Sequence, residues 1–335
     1  TGMRYGLSSP FLKPNSTDAA GAAHFVDPLP NGFRVKPFWG TTSKSIYVAI
    51  RRPNKPPTAG TDVFKATLAA GNVNMTTNFP VDLLFNKSNY TGGTNNYVVD
   101  RIRGSRSTLI SDNNNAEYTG WSQDAFPLDN NTGVDAPYWG TSGDTWSTHL
   151  FRRAPGFLDV VGYTGDGVSG STKYHNLGVT PELVIIKDRS ATYNWFVSST
   201  YLDTFDRHVF LNLTDAQSGA VQWITSVDST SFRVWRTVDL NTSSNNYVCY
   251  LFATLDKISK VGTYSGTGSD LDVDCGFSAG ARYILIKRTD STGDWYVFDH
   301  AQGIASGNDG YWLYNTNGTG VTGTDYIDPL NSGFT

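Results

Sequence analysis

Cysteine is almost absent from this sequence. Only Cys249 and Cys275 occur among its 335 residues, whereas scaffolds held together by disulfides carry several cysteine pairs in a much shorter chain. The count therefore excludes a disulfide-dependent scaffold. An even number leaves open whether the two cysteines pair with each other, and two free thiols are the favoured interpretation.

Charged residues are also scarce, and no long apolar run is present. Asp, Glu, Lys and Arg make up 17% of the residues, and the formal net charge is −4. This balance gives no basic field that would attract nucleic acid. No run approaches the roughly 18 apolar residues that cross a bilayer, so we expect no membrane insertion. No signal-peptide pattern follows Thr1, and we expect any targeting segment to be absent or already removed.

Aromatic residues and glycine, in contrast, are abundant. Aromatic residues make up 13% of the chain, which also contains 34 glycines and 14 prolines. Disordered chains are poor in aromatics and rich in charge, and coiled coils are rich in charge and in helix formers. The composition therefore predicts a folded, mostly β protein of extracellular type.

Short motifs recur about 100 residues apart. The matching runs are PFWGTT and PYWGTS (37–42 and 137–142), NWFV and DWYV (194–197 and 294–297), and three apolar runs that end at Lys87, Lys187 and Lys287. A later run, NYVCYLF (246–252), matches STHLFRR (147–153) and SIYVAIRR (45–52). Shared offsets between independent motifs indicate tandem repetition.

The repeats divide the chain into four parts. Residues 1–58 hold the rear half of one module, residues 59–157 and 158–258 hold two whole modules, and residues 259–335 hold the front part of a further one. Ends that abut would favour a closed ring of modules, as in propellers. Here the equivalent sequences at the two ends overlap, which favours a window taken from a longer array.

Each module has the pattern of several short strands separated by turns. The runs of one module predicted to be strands are Val161–Tyr163, Leu183–Lys187, Trp195–Ser198, His208–Leu213, Ser231–Trp235 and Tyr247–Phe252. Leu183–Ile186 is continuously apolar, which indicates a strand covered on both faces, whereas Ser231–Trp235 alternates as a half-buried strand does. Residues 214–223 can hold one or two helical turns at most. The predicted fold is all-β, with tandem β-sandwich-like modules of about 100 residues.

Motifs of catalytic chemistry are not found. The sequence has no Gly-x-Ser-x-Gly, no P-loop and no His-Glu-x-x-His. Residues 165–170 match Gly-x-Gly-x-x-Gly, but a dinucleotide site needs a helix to follow, and the next residues predict a strand, so we interpret them as a turn. Asp270, Asp272 and Asp274 alternate along one strand face. These carboxylates are weak candidates for binding a hard cation such as Ca²⁺. The favoured alternative is an exposed face whose charges discourage edge pairing.

Seven of the nine tryptophans fall into two groups. Four occupy repeated positions and are predicted to pack in the core or between modules: Trp39, Trp139, Trp195 and Trp295. Trp121, Trp146 and Trp312 lie in Gly-, Ser- and Asn-rich surroundings, and these three are the candidates for stacking on a sugar ring.

The repeated cassette resembles a module of tailed-phage virion proteins. Its parts are a Y-[TS]-G-x-G turn, then G-V-x-P-E-L-V-I-I-K, then N-W-x-V and a late Y-V-x-Y-L-F strand, carried here by 162–167, 178–187, 194–197 and 247–252. The run at 46–64 is similar to the junction between such modules. The first copy departs from the pattern, because Pro80-Val81-Asp82 replaces the Pro-Glu-Leu. The similar proteins, from marine and cyanobacterial phages, are usually described as tail fibres or fibre-like structural proteins.

The resemblance implies a non-enzymatic, fibre-like virion protein that acts as a stalk or in host attachment. It implies self-association, as a homotrimer or a filament, and contacts with other virion proteins, outside the cell and without a cofactor. A host-surface glycan is the expected ligand. Two alternatives remain open: a secreted or surface adhesin that binds glycans, and, with less support, a tailspike-type polysaccharide depolymerase.

Overall fold

A computed structural model describes residues 9–11, 17, 19, 21–29, 32–36, 47–49, 55–71, 73–89, 93–121, 124–136, 144–203, 205–219, 221 and 223–335. Regular structure in these residues is β, apart from one 3-10 turn at Gly60–Asp62, and the all-β prediction is confirmed. Where the structure describes residues 214–223, it contains no helical turn. No helix in the described part of the chain is long and apolar enough to cross a membrane.

Four short strands come first, within the part assigned to residues 1–58. They are β1 (Ser9–Phe11), β2 (Gly21–Ala23), β3 (Val26–Leu29) and β4 (Gly32–Val35). β1 pairs with β2, and β3 with β4, both antiparallel. The PFWGTT motif and Trp39 lie outside the described residues.

The next seven strands form a five-stranded antiparallel sheet and a small two-stranded one. They are β5 (Phe64–Ala70), β6 (Met75–Thr76), β7 (Leu83–Ser88), β8 (Tyr97–Asp100), β9 (Leu109–Ile110), β10 (Gly133–Val134) and β11 (Thr145–Phe151). The five-stranded sheet, here called sheet I, has the order β5-β11-β7-β8-β9, and β6 pairs with β10.

The following eight strands form a second sheet with the same order. They are β12 (Leu158–Thr164), β13 (Ser171–Tyr174), β14 (Leu183–Asp188), β15 (Phe196–Ser199), β16 (Val209–Phe210), β17 (Ile224–Val227), β18 (Ser231–Val234) and β19 (Asn246–Phe252). Sheet II has the order β12-β19-β14-β15-β16, and β13, β18 and β17 form a separate three-stranded sheet. Each strand of sheet II thus has a counterpart in sheet I.

The last seven strands give a third sheet that lacks two of these positions. They are β20 (Val273–Asp274), β21 (Tyr283–Lys287), β22 (Trp295–Asp299), β23 (Asp309–Leu313), β24 (Val321–Thr324), β25 (Pro329–Leu330) and β26 (Gly333–Phe334). Sheet III has the order β21-β22-β23-β24, and β20, β26 and β25 form a small sheet. β21, β22 and β23 correspond to β14, β15 and β16.

The sequence pattern of the strands agrees with their burial. In β14, Ile185 faces one hydrophobic cluster while Val184 and Ile186 face another, as a run covered on both faces requires. In β18, Phe232 and Val234 are buried and Arg233 is exposed, as the alternation predicts. Six of the eight strands between 158 and 258 overlap the predicted runs, and β13 and β17 lie outside those runs.

One hydrophobic core joins the three large sheets. We call it the central core, and each sheet contributes equivalent inward-facing residues from its strands: Phe85, Ile185 and Leu285; Val98, Val197 and Val297; Leu109, Val209 and Trp312. The opposite face of each sheet packs under its own small sheet, in three separate clusters. Burial of apolar area on both faces is the main stabilising contribution to such a layered arrangement.

Side-chain donors at equivalent positions link each sheet to the next. Trp195 Nε1 donates to the carbonyl of Ile110 at 2.7 Å, and Trp295 Nε1 donates to that of Phe210 at 2.9 Å. These two tryptophans are 0% and 4% exposed, so the predicted packing role is confirmed for them.

Asn96 takes the tryptophan position in sheet I. Its Nδ2 donates to the carbonyl of Leu313 in sheet III at 3.1 Å, and also to those of Tyr314 and Thr316. Sheet I therefore contacts sheet III as sheet II contacts sheet I. Each of the three large sheets thus contacts the other two, and the sheets return on themselves around the central core.

Three lysines that end equivalent strands make a second set of links. Lys87 Nζ donates to the Thr316 carbonyl at 2.6 Å, and Lys287 Nζ donates to the Thr214 carbonyl at 2.9 Å. Lys187 Nζ is 3.3 Å from the Asn114 carbonyl. Burial lowers the pKa of both Lys87 and Lys187 to about 8, because the charged ammonium loses its hydration.

The tryptophan link can be tested by removing one donor. Trp195→Phe leaves the buried Ile110 carbonyl without the indole N–H, and we expect a loss of about 1–3 kcal/mol in the free energy of unfolding. Urea unfolding followed by circular dichroism measures this loss. Trp235→Phe is the matched control, since Trp235 is 45% exposed, and it should change stability by no more than about 0.5 kcal/mol. Equal effects of the two substitutions would contradict the proposed link.

The buried lysines predict a pH dependence of stability. Because the folded-state pKa of Lys87 lies near 8, below its unfolded value, the unfolded chain binds more protons between about pH 8 and 10. The stability of the wild type should therefore rise with pH in this window relative to Lys87→Met, by up to about 3 kcal/mol. Lys260→Met, at an exposed site, should instead run parallel to the wild type. Parallel wild-type and Lys87→Met curves would show that the pKa of Lys87 is not lowered.

Candidate functional site

The outer face of each large sheet carries a group of aromatic rings at equivalent strand positions. The first aromatic cluster consists of Tyr97, Tyr118 and Trp121, the second of Phe196, His208 and Trp223, and the third of Tyr296, Tyr311 and Tyr326. Each cluster combines a residue of β8, β15 or β22, which are equivalent strands, with rings on or beyond the next strand of the chain. The three clusters differ in how far they are open to solvent.

The second cluster is a closed stack. The ring centroids of His208 and Trp223 lie 4.2 Å apart, and that of Phe196 lies 5.2 Å from His208 and 5.6 Å from Trp223. Phe196 is 0% exposed and His208 6%. Burial lowers the pKa of His208 to about 4, so its imidazole is neutral at physiological pH and packs as an aromatic ring. This cluster is part of the fold and offers no open ring face.

The third cluster is the most open. Tyr311 lies 5.3 Å from Tyr296 and 5.8 Å from Tyr326 between ring centroids, and Tyr326 is 59% exposed. Burial raises the pKa of Tyr296 and of Tyr311, so both hydroxyls remain protonated and can donate hydrogen bonds. Adjacent tyrosines give an apolar ring surface bordered by hydroxyls, which suits the apolar face and the hydroxyls of a sugar.

Trp121, one of the three sugar-stacking candidates, lies in the first cluster. Its Nε1 donates to Thr108 Oγ1 at 3.1 Å, and its ring meets that of Tyr118 edge-on at 4.8 Å. Trp121 is half-buried, whereas Tyr118 is 49% exposed. The structure therefore places this candidate at a surface, at the position equivalent to Trp223 and Tyr326.

The other two tryptophan candidates lie inside the protein. Trp146 is 8% exposed and Trp312 is 2% exposed. The Trp312 ring belongs to the central core, and Lys87 Nζ lies 5.9 Å from its centroid. A sugar cannot stack on either ring without unfolding its surroundings, so Trp121 is the one of the three available for that role. Trp139 lies outside the described residues.

The three alternating aspartates do not form a cation site. Asp272 accepts a hydrogen bond from Thr335 Oγ1 at 2.6 Å, and Asp274 accepts one from the backbone N–H of Gly276 at 2.8 Å. Asp270, Asp272 and Asp274 are all exposed. Across the described ranges, no group of three acidic, histidine or cysteine side chains is placed to hold a metal ion.

The glycine-rich run at 165–170 is a turn, as predicted, and β13 follows it directly. Gly167 and Gly170 have φ of 72° and 74°, a left-handed conformation that favours glycine. A cleft of about 470 Å³ lies beside the turn, between β4 and the strands β12 and β13. Its Lys173 is already engaged, because Nζ lies 3.3 Å from an Asp166 carboxylate oxygen and 5.0 Å from the centroid of the Tyr163 ring. This cleft is therefore weaker than the third cluster as a ligand site.

Cys249 and Cys275 do not pair, and both are free thiols. Cys249 is fully buried in sheet II, and burial raises its pKa far above the usual range. A thiol in this state is a poor nucleophile, so Cys249 is a packing residue.

Sequence reasoning did not single out the third cluster. Tyrosine is common in strands of every kind, so Tyr296 and Tyr311 looked like ordinary strand residues. The available signal was the correspondence of Tyr296 with Phe196 and Tyr97, which becomes visible only when the strands are superimposed by register.

Comparison with known proteins shows the family of this chain. A family model described as a domain of unknown function, DUF7483, matches residues 59–335. The matched range includes all three large sheets and leaves out β1 to β4. No curated protein and no solved structure matches the chain.

Proposed function

The chain belongs to the DUF7483 family, and we propose that it is a non-enzymatic structural protein of a tailed-phage particle. It would form part of a tail fibre or a related appendage outside the host cell and serve as a stalk or in host attachment. The proposal is supported by the repeated cassette, which resembles the modules of phage fibre-like proteins. The packing of the three large sheets around one central core also supports it.

The proposed building unit is a β-sandwich-like module of about 100 residues. Residues 59–157 and 158–258 would each be one module, residues 259–335 the front part of another, and residues 1–58 the rear half of one. The identical strand order of sheets I and II, and the small sheet that covers each outer face, support this division. Leu83, Leu183 and Tyr283 begin corresponding strands at intervals of 100 residues.

The shared central core is the observation that carries the structural role. Inward residues from all three sheets belong to it, and partly buried side-chain hydrogen bonds join each pair of sheets. Modules linked in this way move as one body and transmit force along a fibre without a hinge. The proposal needs no cofactor, and its partners are further copies of the chain and other virion proteins.

The third aromatic cluster favours a second candidate function, binding of a host-surface glycan. Tyr296, Tyr311 and Tyr326 present neighbouring rings on the outer face of sheet III. A glycan-binding fibre and a secreted adhesin share this requirement. A tailspike-type depolymerase would also need two carboxylates flanking the bound glycan.

The structural role predicts assembly in solution. Light scattering of the purified chain should give a mass above that of one 36.6 kDa copy, and negative-stain images should show elongated particles of regularly spaced lobes. A fibre component must associate with itself or with its neighbours to extend. A compact monomer at all concentrations tested would contradict the proposal.

Glycan binding is tested on the third cluster. Wild type, Tyr326→Ala and Tyr174→Ala are applied to a panel of purified bacterial capsular and lipopolysaccharide glycans. Tyr326→Ala should weaken binding at least tenfold through loss of ring stacking, whereas Tyr174→Ala, at a tyrosine 52% exposed on β13, should not.

Three outcomes count against parts of this assignment. Absence of binding to every glycan would remove the second candidate function. Equal loss in both variants would place the site elsewhere. Shortening of the glycan during incubation would show enzymatic activity and overturn the non-enzymatic assignment.

A further inference from the structure

Sheet III has two unfilled positions at one edge. In sheets I and II the central strand, β7 or β14, pairs with a long late strand, β11 or β19, which in turn pairs with an outer strand, β5 or β12. Among the described residues, β21 pairs only with β22, and no late strand lies on its other side. An unpaired edge leaves a row of backbone N–H and C=O groups open to another strand.

The segment that would form the outer strand of sheet III is present but unpaired. Residues 263–265 (Thr-Tyr-Ser) match residues 162–164 (Gly-Tyr-Thr) at the end of β12. Residues 262–268 are all exposed, they form no strand, and Tyr264 is 46% exposed. Because β5 and β12 pair only with their late strands, a segment without a late strand has nothing to pair with.

The chain contains a third late-strand sequence, in its N-terminal part. The run SIYVAIRR at 45–52 matches STHLFRR and NYVCYLF of β11 and β19. Where the structure describes this run, at residues 47–49, it is solvent-exposed, with Tyr47 74% and Val48 88% exposed. Tyr47 meets the ring of Phe33 edge-on at 5.1 Å and is otherwise open. Exposed apolar residues of this kind mark an interaction surface.

The polar contacts of the sheets agree with this third strand. Alignment of Arg51-Arg52 with Arg152-Arg153 places Val48 at the position of His149, which is equivalent to Tyr250. Tyr250 donates to Asp100 at 2.9 Å, and His149 Nε2 lies 2.9 Å from Asp299.

The third residue of the aspartate series supports the same register. Ser199, at the end of β15, occupies the position equivalent to Asp100 and Asp299. A valine cannot pair with a buried carboxylate, and burial of an unpaired carboxylate would be costly. The absence of a charge at Ser199 therefore matches a valine in the third late strand.

We propose that sheet III is completed by the strand centred on Tyr47–Ala49 of a second copy of this chain. Among the described residues, Tyr47 and Val48 are exposed and β21 pairs only with β22, so both are available to a neighbour. The inserted strand would pair with β21 on one side and with residues 262–267 on the other, with Val48 opposite Leu285. Backbone pairing supplies affinity, and the alternating side chains supply specificity.

Exchange of this kind is directional. Because donor and acceptor lie on different surfaces of one copy, each added copy presents a new free end, and the association gives a ring or an open filament. This inference rests on the self-association in the proposed function and names the contact that produces it.

Cross-linking across the predicted register tests the exchange. In a background that carries Cys275→Ser, one preparation of the full chain carries Val48→Cys and a second carries Leu285→Cys. Mixed under mild oxidation, the two should give a disulfide-linked dimer, since paired strands bring opposite side chains to within about 5 Å. Val168→Cys, at a valine 58% exposed, replaces Val48→Cys in the control and should give at least tenfold less dimer.

The double variant Val48→Cys/Leu285→Cys separates exchange from pairing within one chain. At low concentration a linked product of monomer mass would mean that the strand completes its own sheet, which overturns the exchange between copies. A linked series of dimers and larger products supports it. Absence of any Val48–Leu285 disulfide in both experiments overturns the assigned strand.

A second variant keeps the test independent of the cysteines. Val48→Asp should abolish the multimer seen by light scattering, whereas Val238→Asp, at a valine 53% exposed, should leave it intact. Cross-linked dimers that never extend into fibres would leave the strand exchange standing and contradict the fibre role. Fibres formed by the Val48→Asp variant would support the fibre role and contradict the strand exchange.

Discussion

The arrangement depends on large sheets that are apolar on both faces. In β14 the side chains of Val184, Ile185 and Ile186 are all buried, and they divide between two clusters. Such a sheet exposes apolar surface unless it is covered twice, once by its small outer sheet and once by its neighbours across the central core. No large sheet of this chain is therefore stable alone, and the packing of the three sheets is a condition of folding.

Close packing of the three sheets buries polar groups at the strand ends, and the structure pairs them. Arg103 is 0% exposed, and its guanidinium contacts Asp100 and Glu117 while Asp100 accepts the hydroxyl of Tyr250. His149 and Asp299 form the corresponding contact between sheets I and III. An unpaired buried charge is costly, whereas a paired one discriminates between partners. Because the two contacts use different residue types, we interpret them as fixing which sheet lies beside which.

Local features of this fold were predictable from the sequence, and long-range ones were not. The apolar run at 183–186 and the alternation at 231–235 fix burial through neighbouring residues alone. The pairing of β11 with β5 joins residues far apart in sequence, and nothing local specifies it. Composition misled the reasoning on Trp312, whose Gly- and Asn-rich neighbours suggested a surface. Its strand position is that of Leu109 and Val209, which face the central core.

The candidate site shows why function is harder to predict than fold in a repeated β protein. Inward positions stay apolar, as Phe85, Ile185 and Leu285 do, because each faces the central core. Outward positions have no such constraint. The equivalent positions Thr108, His208 and Tyr311 differ in size, charge and hydrogen bonding. At this position Thr108 contributes a hydroxyl that accepts a hydrogen bond from Trp121. His208 contributes a buried neutral imidazole, and Tyr311 a half-exposed phenol. The outer face can change its chemistry while the core stays apolar, so repetition in the sequence identifies the scaffold, and departures from repetition on the outer face are the positions at which to search for a ligand.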